Sequence, residues 1–397
     1  MSARAIGIVP AADGDAVSLP AWIYRDPEFF ELEKELVFRP SWQIVCHVND
    51  VPRGGDFHTF EFLGQSVFVL RGEDGQIRSF HNACRHRAAR LLDDAKGHCG
   101  RRITCPYHAW SYGLDGRLLT VPQRGDFTGL DRERFGLVPL EQEIFMGFIF
   151  VRFAAGHGEA RIPSVREMAA PYADELAAYR LEELVPQGRV TLRPRSVNWK
   201  NVGDNYSDGL HIPVAHPGLT RLFGASYGVD AQPWIDKMWG QLRDIPSANL
   251  SERLYQALLP PVPHLPAQRQ RLWTYFKLWP NIALDIYPDQ IDFMQFLPIS
   301  PTETLIREIA YVHPDARREM RAARYLNWRI NRQVSLEDRR LIERVQAGMA
   351  SDAYTVGPLG ESEVCLRSFG RHMRALIPQS REPRAPARGW SLQRHER

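Results

Sequence analysis

Hydrophobic and polar positions divide the chain into stretches of different period. In "YRDPEFFELEKELVF", Phe29, Phe30, Leu32, Leu36, Val37 and Phe38 recur at mostly helical spacing and stop before Pro40, which predicts an N-terminal helix. From about Asp56 to Phe153 the period shortens to that of strands. Residues 58–72, 101–119 and 144–154 are β-rich and punctuated by turn signals at Gly64-Gln65, Asp74-Gly75 and Asp115-Gly116, so a small all-β domain is expected. Beyond residue 164, helical segments precede an antiparallel set, "RLWTYFKLWPNIALDIYP", "QIDFMQFLPIS" and "TLIREIAYVHP". Its first strand alternates Trp273, Tyr275, Lys277 and Trp279 with Leu272, Thr274, Phe276 and Leu278, giving one aromatic and one aliphatic face. Residues from about 322 to 376 read as helical again. The expected divisions are a helical segment at 1–39, a β domain at 40–157, a second domain at 158–380 and a flexible tail at 381–397.

Composition narrows the class. A chain of 397 residues, 44% hydrophobic and 24% charged, is long enough for two cores. A net charge of +3 leaves no electrostatic footprint for nucleic acid. No leader-like start and no run of about eighteen apolar residues is present, so the expectation is a cytoplasmic protein with no membrane segment. The five cysteines, Cys46, Cys84, Cys99, Cys105 and Cys365, are an odd number in a large chain, which favours metal ligation over a disulfide framework.

The stretch "SFHNACRHRAARLLDDAKGHCGRRITCPYHAW", residues 79–110, holds three of the five cysteines and four of the thirteen histidines. Cys84-Arg85-His86 and Cys105-Pro106-Tyr107-His108 are two Cys/His pairs eighteen residues apart, each where two β-rich runs turn. Together they make one four-ligand pocket. Zinc accepts two thiolates and two imidazoles, and a [2Fe–2S] cluster with two cysteines on one iron and two histidines on the other needs the same set. The order favours the cluster over zinc, because each loop supplies one of each type, as a loop that spans both irons must. His98 and Cys99 lack a partner at ligand spacing and are expected to be bystanders.

These motifs resemble the C-x-H-R-G and C-P-x-H-G-W pattern of the Rieske non-haem iron oxygenases, with Ala88 and Ala109 where that family usually has glycine. A Rieske cluster moves single electrons and makes no product, so the chemistry belongs elsewhere. Residues 196–216, "SVNWKNVGDNYSDGLHIPVAH", contain Asp208-x2-His211-x4-His216. Asp208 and His211 are spaced to share a helix face, whereas His211 and His216 would stand about 140° apart on an unbroken helix and could not chelate. Pro213 is expected to break the helix and bring His216 back beside His211. Two imidazoles plus one carboxylate form the facial triad of a non-haem Fe(II) oxygenase.

The resemblance runs from the N-terminal helix to "ESEVCLRSFGRHM" and implies the remainder. It points to "VSLEDRRLIERVQAG", residues 334–348, for the third iron ligand, Asp338, with Ser335 as N-cap and Leu341, Ile342, Val345 and Gln346 on the same inward face. Alternatively Asp338 only complements the helix dipole and Glu337 competes for the metal. The family implies an α+β architecture, an all-β Rieske domain ahead of a helix-grip catalytic domain, and a homotrimer. It makes Asp208 the carboxylate bridging His211 to the Rieske histidine, His108 or His86, of the next subunit, and leaves open the role of Asp204, where relatives often have glutamate. The implied activity is an oxygenase using O2 and NAD(P)H electrons delivered by a separate reductase or ferredoxin. For substrate, Trp273, Tyr275, Trp279, Tyr287 and Phe293 either line a cavity for an aromatic ring or a quaternary ammonium, or form ordinary core. The reading leans to aromatic-ring hydroxylation. Its alternative is a monooxygenase or N-demethylase of a betaine, choline or carnitine, and a non-catalytic electron carrier or zinc module is more remote. "ALLPPVPHLPAQRQ" is expected to be a lid or a trimer contact.

Overall fold

A computed structural model describes residues 16–154 and 162–391. The N-terminal helix forms at Pro27–Glu33, where the Asp26 carboxylate accepts the Phe29 amide at 2.7 Å and Pro27 occupies the first turn. It runs on as a π-helical turn, Lys34–Phe38, that buries Val37 and Phe38. Its Glu33 is fully buried and meets Lys200 Nζ at 2.6 Å, which ties this helix to the Trp199–Ser207 helix of the second half.

Ten strands follow: β1 (Gln43–His47), β2 (Asp56–Phe62), β3 (Gln65–Arg71), β4 (Ile77–His81), β5 (Lys96–His98), β6 (Arg102–Thr104), β7 (Ser111–Gly113), β8 (Leu118–Thr120), β9 (Glu141–Phe145) and β10 (Phe148–Arg152). They form three antiparallel sheets in the orders β1-β10-β9, β4-β3-β2-β5 and β6-β7-β8. The turn between β2 and β3 places Leu63 and Gly64 at φ 49° and 73°, the two-residue turn whose twist suits a hairpin. Alternation along β3 sends Val67 and Val69 into the main core and Phe68 and Leu70 into a second cluster with Cys84, Cys105 and Trp110. One sheet therefore both anchors the domain and backs its metal-binding loops.

The second half is a seven-stranded antiparallel sheet ordered β11-β17-β16-β15-β14-β13-β12, from β11 (Val185–Arg195), β12 (Gly228–Ala231), β13 (Ile235–Gln241), β14 (Leu272–Leu278), β15 (Ile282–Ile286), β16 (Ile291–Ser300) and β17 (Glu303–Val312). Period two again assigns the faces. Phe276, Leu284, Phe293 and Ile309 pack into the main core, while Tyr275, Asp285, Asp292, Met294 and Glu308 face the helices. Helix and sheet segregate as an α+β fold requires.

Four expectations change. The aromatic face does not act as one unit: Trp273 and Tyr287 are core beside Tyr255, Trp279 and Phe293 sit in the main core, and of the five aromatics Tyr275 alone lines the large cavity. Ser335 caps nothing, because one helix runs unbroken from Arg318 to Gly348, with neither proline nor glycine before Gly348, and Val345 on it is 47% exposed. Of the two readings of the proline-rich segment, the free lid gives way: Val262 and Leu265 are anchored in the main core and Gln270 bonds the backbone of both, which leaves the trimer contact standing as proposed. The tail is docked as far as Ser391: Trp390 meets Trp22 edge-on at 5.9 Å, and Glu28 accepts the amides of Gly389 and Ser391. The expected flexibility of 392–397 lies outside the described residues, as does the reading of residues 1–15. Among the described residues no helix is long and apolar enough to cross a membrane.

Two candidate metal centres

The two Cys/His loops are built alike. In each, the amide four residues after the cysteine bonds the cysteine carbonyl, Ala88 N to Cys84 O at 2.9 Å and Ala109 N to Cys105 O at 3.1 Å. The cysteine amide in turn bonds the carbonyl of Ala89 or Trp110, both at 2.8 Å. Closing so tight a loop drives Ala88 and Ala109 to φ 58° and 54°, the left-handed region that glycine enters at least cost. The loops face each other, with the His86 and His108 ring centroids 4.6 Å apart at the tip and both cysteines buried beneath. Trp110 stacks on His86 at 4.9 Å.

The pocket fits the cluster. His86 Nδ1 and His108 Nδ1 are buried without a hydrogen-bond partner among the described residues, which is costly unless those lone pairs go to a metal. Burial pushes the Cys84 thiol up and neighbouring Cys105 adds to the rise, against the pull of Tyr112, whose hydroxyl lies 3.2 Å from the sulfur. Iron would relieve both by taking the thiolates. His98 and Cys99 stand elsewhere, bonded to Asp56 and Gly55.

The second set also converges. His211 Nε2, His216 Nε2 and Asp338 Oδ1 lie 3.1, 2.9 and 3.6 Å from one another. Three donors about 2.1 Å from one centre and at right angles would be roughly 3 Å apart, so the set suits one face of an octahedral ion. The break that allows this is not at Pro213. The Trp199–Ser207 helix ends at Asp208, whose carboxylate accepts the Leu210 amide at 2.7 Å, and Pro213 lies inside the next helix, Ile212–Ala215. His211 and His216 flank that short helix, and Pro217 keeps His216 out of the helical region. Asp208 and His211 thus meet across a turn, not along a helix face.

A carboxylate orients each imidazole. Asp208 Oδ2 is 3.1 Å from His211 Nδ1, and Glu337 Oε2 is 2.8 Å from His216 Nδ1. Glu337 thus grips the far side of His216 while Asp338, mid-helix and remote from the first turn, takes the inner side. Burial lowers the His216 pKa, yet Asp338 and Glu337 together bring it above the ordinary value. Asn205 Nδ2 donates to Asp338 Oδ1 at 2.9 Å, a contact the sequence reading missed. Asp204 turns away: it accepts the Tyr24 hydroxyl at 2.6 Å, and burial pushes it up to about 6.

The triad opens into a cavity of ≈ 170 Å³ between the sheet and the Arg318–Gly348 helix. Tyr206, Tyr227, Tyr275 and Phe296 supply aromatic walls, and Asp285, Asp292 and Glu308 stand on the sheet floor. Of these residues sequence reasoning had flagged Tyr275. The signal for the acids, Asp292-x-Met294-x-Phe296 at strand spacing, was available but points to a cavity only once the opposite wall is known.

Residues 41–133 match the Rieske [2Fe-2S] domain, and residues 177–379 match the ring hydroxylating alpha subunit (catalytic domain). The carnitine monooxygenase oxygenase subunit of Escherichia coli (strain K12) is 30% identical over 346 residues, covering 86% of each chain. The glycine betaine monooxygenase oxygenase subunit of Chromohalobacter salexigens is 28% identical over 372 residues, covering 86% of this chain and 81% of its own. A solved quaternary ammonium Rieske monooxygenase superposes with TM-score 0.75 at 24% identity, over 95% of this chain and 100% of that one. The chain belongs to the Rieske non-haem iron oxygenases, oxidoreductases that incorporate O2 with reductase-supplied electrons and carry a [2Fe–2S] cluster and a mononuclear iron.

Proposed function

We propose that the chain is the oxygenase subunit of a monooxygenase acting on a quaternary ammonium or related amine, at a carbon next to nitrogen. This is the alternative of the sequence reading, and it displaces the lean to aromatic rings. The carrying observation is that relatives across most of the chain act on carnitine and glycine betaine. The cavity supports it, because the Tyr206, Tyr227 and Tyr275 rings at its wall offer π faces to a cation.

In this reading Cys84, Cys105, His86 and His108 would hold the cluster, and His211, His216 and Asp338 would hold the ferrous ion. When bound, the cluster supplies single electrons and the ferrous ion supplies O2 activation. Asp208 and Glu337 lock the tautomers and ring planes of the two histidines, and Asn205 keeps Asp338 turned inward. The cavity walls hold the substrate and keep bulk water off the site. Overall, O2, two electrons and two protons convert a C–H beside nitrogen to C–OH and water, and the C–OH compound collapses to an amine and an aldehyde.

We also propose a homotrimer in which the cluster of one subunit serves the iron of the next. Apolar side chains stand exposed at the rims of both centres, Tyr107 (57%) beside His108, and Leu210 (54%) and Val214 (88%) around His211. Asp208, 21% exposed, is reachable from outside and would bridge His211 to His86 or His108 of a second copy. The test of function is O2 uptake with NAD(P)H and a surrogate reductase, over a panel of trimethylammonium compounds and aromatic acids. Amine and aldehyde from the cations are expected; hydroxylated rings with idle cations would overturn the proposal.

A further inference from the structure

Two carboxylates face each other on the cavity floor. Asp285 of β15 and Asp292 of β16 are direct register partners, and both line the cavity. Directly opposed residues on one face have Cβ atoms about 5 Å apart, so like charges there repel and lower stability. The row extends to Tyr275, the partner of Asp285 on β14, and the third acid, Glu308, stands opposite Met294 in the next row. Glu308 is neutralised by Arg193 at 3.0 Å. Asp285 accepts the Tyr206 hydroxyl at 2.5 Å, and Asp292 accepts Gln290 Nε2 at 3.2 Å. Neither has an ion-pair partner among the described residues.

Burial holds both acids above the usual carboxylate range, Asp285 up to about 7, so the empty cavity suits them poorly as anions. Tyr227 and Tyr275 line the same cavity as the acid pair and the triad, and Tyr275 stands beside Asp285 on the neighbouring strand. Their hydroxyls make no hydrogen bond to the described residues. A cation placed in this cavity would meet both carboxylates and the neighbouring tyrosine rings, and attraction in a buried pocket is several times that in water.

We propose that the Asp285–Asp292 pair is the specificity-determining element of the active site, seating the substituted ammonium group of the substrate against Tyr227 and Tyr275. This rests on the amine reading above and adds the residues that enforce it. A neutral substrate of the same shape binds more weakly because it gains no attraction from the pair. A bound cation stabilises the ionised carboxylates, which burial by itself disfavours. The ligand chemistry is a tetrahedral ammonium, quaternary or protonated tertiary.

The test uses the metal-loaded enzyme and measures binding of choline, glycine betaine, γ-butyrobetaine, the tertiary amine dimethylethanolamine, and the uncharged choline isostere 3,3-dimethylbutan-1-ol. In the wild type at least one cation should bind tenfold or more tightly than the isostere. Asp292→Asn should abolish that preference, leave isostere binding within twofold, and keep the cluster spectrum and iron content. Because the substitution removes a like-charge contact, its Tm should equal or exceed that of the wild type. Asp285→Asn repeats the test should Asp292→Asn fail to fold. Cation preference that survives both substitutions overturns the role of the pair while leaving the amine reading intact. A wild type that binds the isostere and no cation overturns the amine reading itself. The quaternary and tertiary arms show which ammonium the pocket takes.

Discussion

At the scale of single residues, the two proposed centres rest on side chains that would not themselves touch a metal. Glu337 and Asp208 play the same part for different histidines, yet they differ in setting: Glu337 lies on a long rigid helix and Asp208 in an exposed turn. Glu337→Gln is expected to weaken iron retention by about 10–100-fold with the cluster spectrum intact, as loss of an outer partner usually does; iron analysis after dialysis against chelator measures it. Asp208→Ala should instead keep both metals and slow oxidation of the reduced cluster in single turnover, and a wild-type rate would show that it bridges nothing. Ala88 and Ala109 carry strained left-handed backbone in the Rieske loops. Their conversion to glycine should gain about 0.5–1 kcal/mol each, the relief of strain less the added freedom of the unfolded chain. Chemical denaturation of the single variants reads this directly. The CxH and CxxH spacing was legible in the sequence because each loop is local, and Asp338 was preferred there over Glu337, but the contact of Glu337 with His216 was not visible because it spans 121 residues.

At the scale of elements, the N-terminal helix holds the Trp199–Ser207 helix through a buried cation. Lys200 Nζ bonds Glu33 at 2.6 Å and the Ile23 carbonyl at 3.0 Å, and it lies 4.9 Å from the centre of the Tyr24 ring. Lys200→Met should cost about 3–5 kcal/mol by stranding Glu33, and Glu33→Gln in the same chain should recover much of it. A double variant no better than the single would place the loss in packing. Asp289, buried behind the cavity, accepts the Tyr255 hydroxyl at 3.1 Å, and burial pushes its pKa up to about 6. The folded state therefore holds this proton where the unfolded chain releases it, so stability is full below pH 4 and is lost as pH rises through 6, by up to about 3 kcal/mol. Asp289→Asn, neutral throughout, should be more stable than the wild type at pH 7, with the gap closing near pH 4. Urea unfolding at both values checks it, and an equal gap at each would assign the effect to something other than ionisation.

At the scale of the whole molecule, the cluster loops rest on a small core of their own, and Ile212, next to His211, belongs to a different one. The trimer proposal predicts complementation. Cys84→Ser and Asp338→Ala chains should each be inactive, and co-assembled chains should recover activity because one supplies the cluster and its neighbour the iron. Sedimentation should give a mass of three 45.5 kDa chains. A monomer with full activity would end the proposal.

The amino-acid sequence by itself determined the ligand types, their order in two tight loops, the histidine pair and the strand alternation, because each is set by neighbours a few residues away. Tertiary structure decided what depends on register and packing. The Arg318–Gly348 helix has no internal cap to announce where it begins, so Asp338 was readable as a first-turn residue until the helix proved continuous. The aromatic stripe on β14 was readable as a binding face until the helices covered Trp273 and left Tyr275 at the cavity. Asp285 and Asp292 are seven residues apart in the chain, and only the hairpin register sets them opposite each other. The proposed cation seat therefore rests on a pairing of strands, where hairpin register and period-two alternation place both charges on one face.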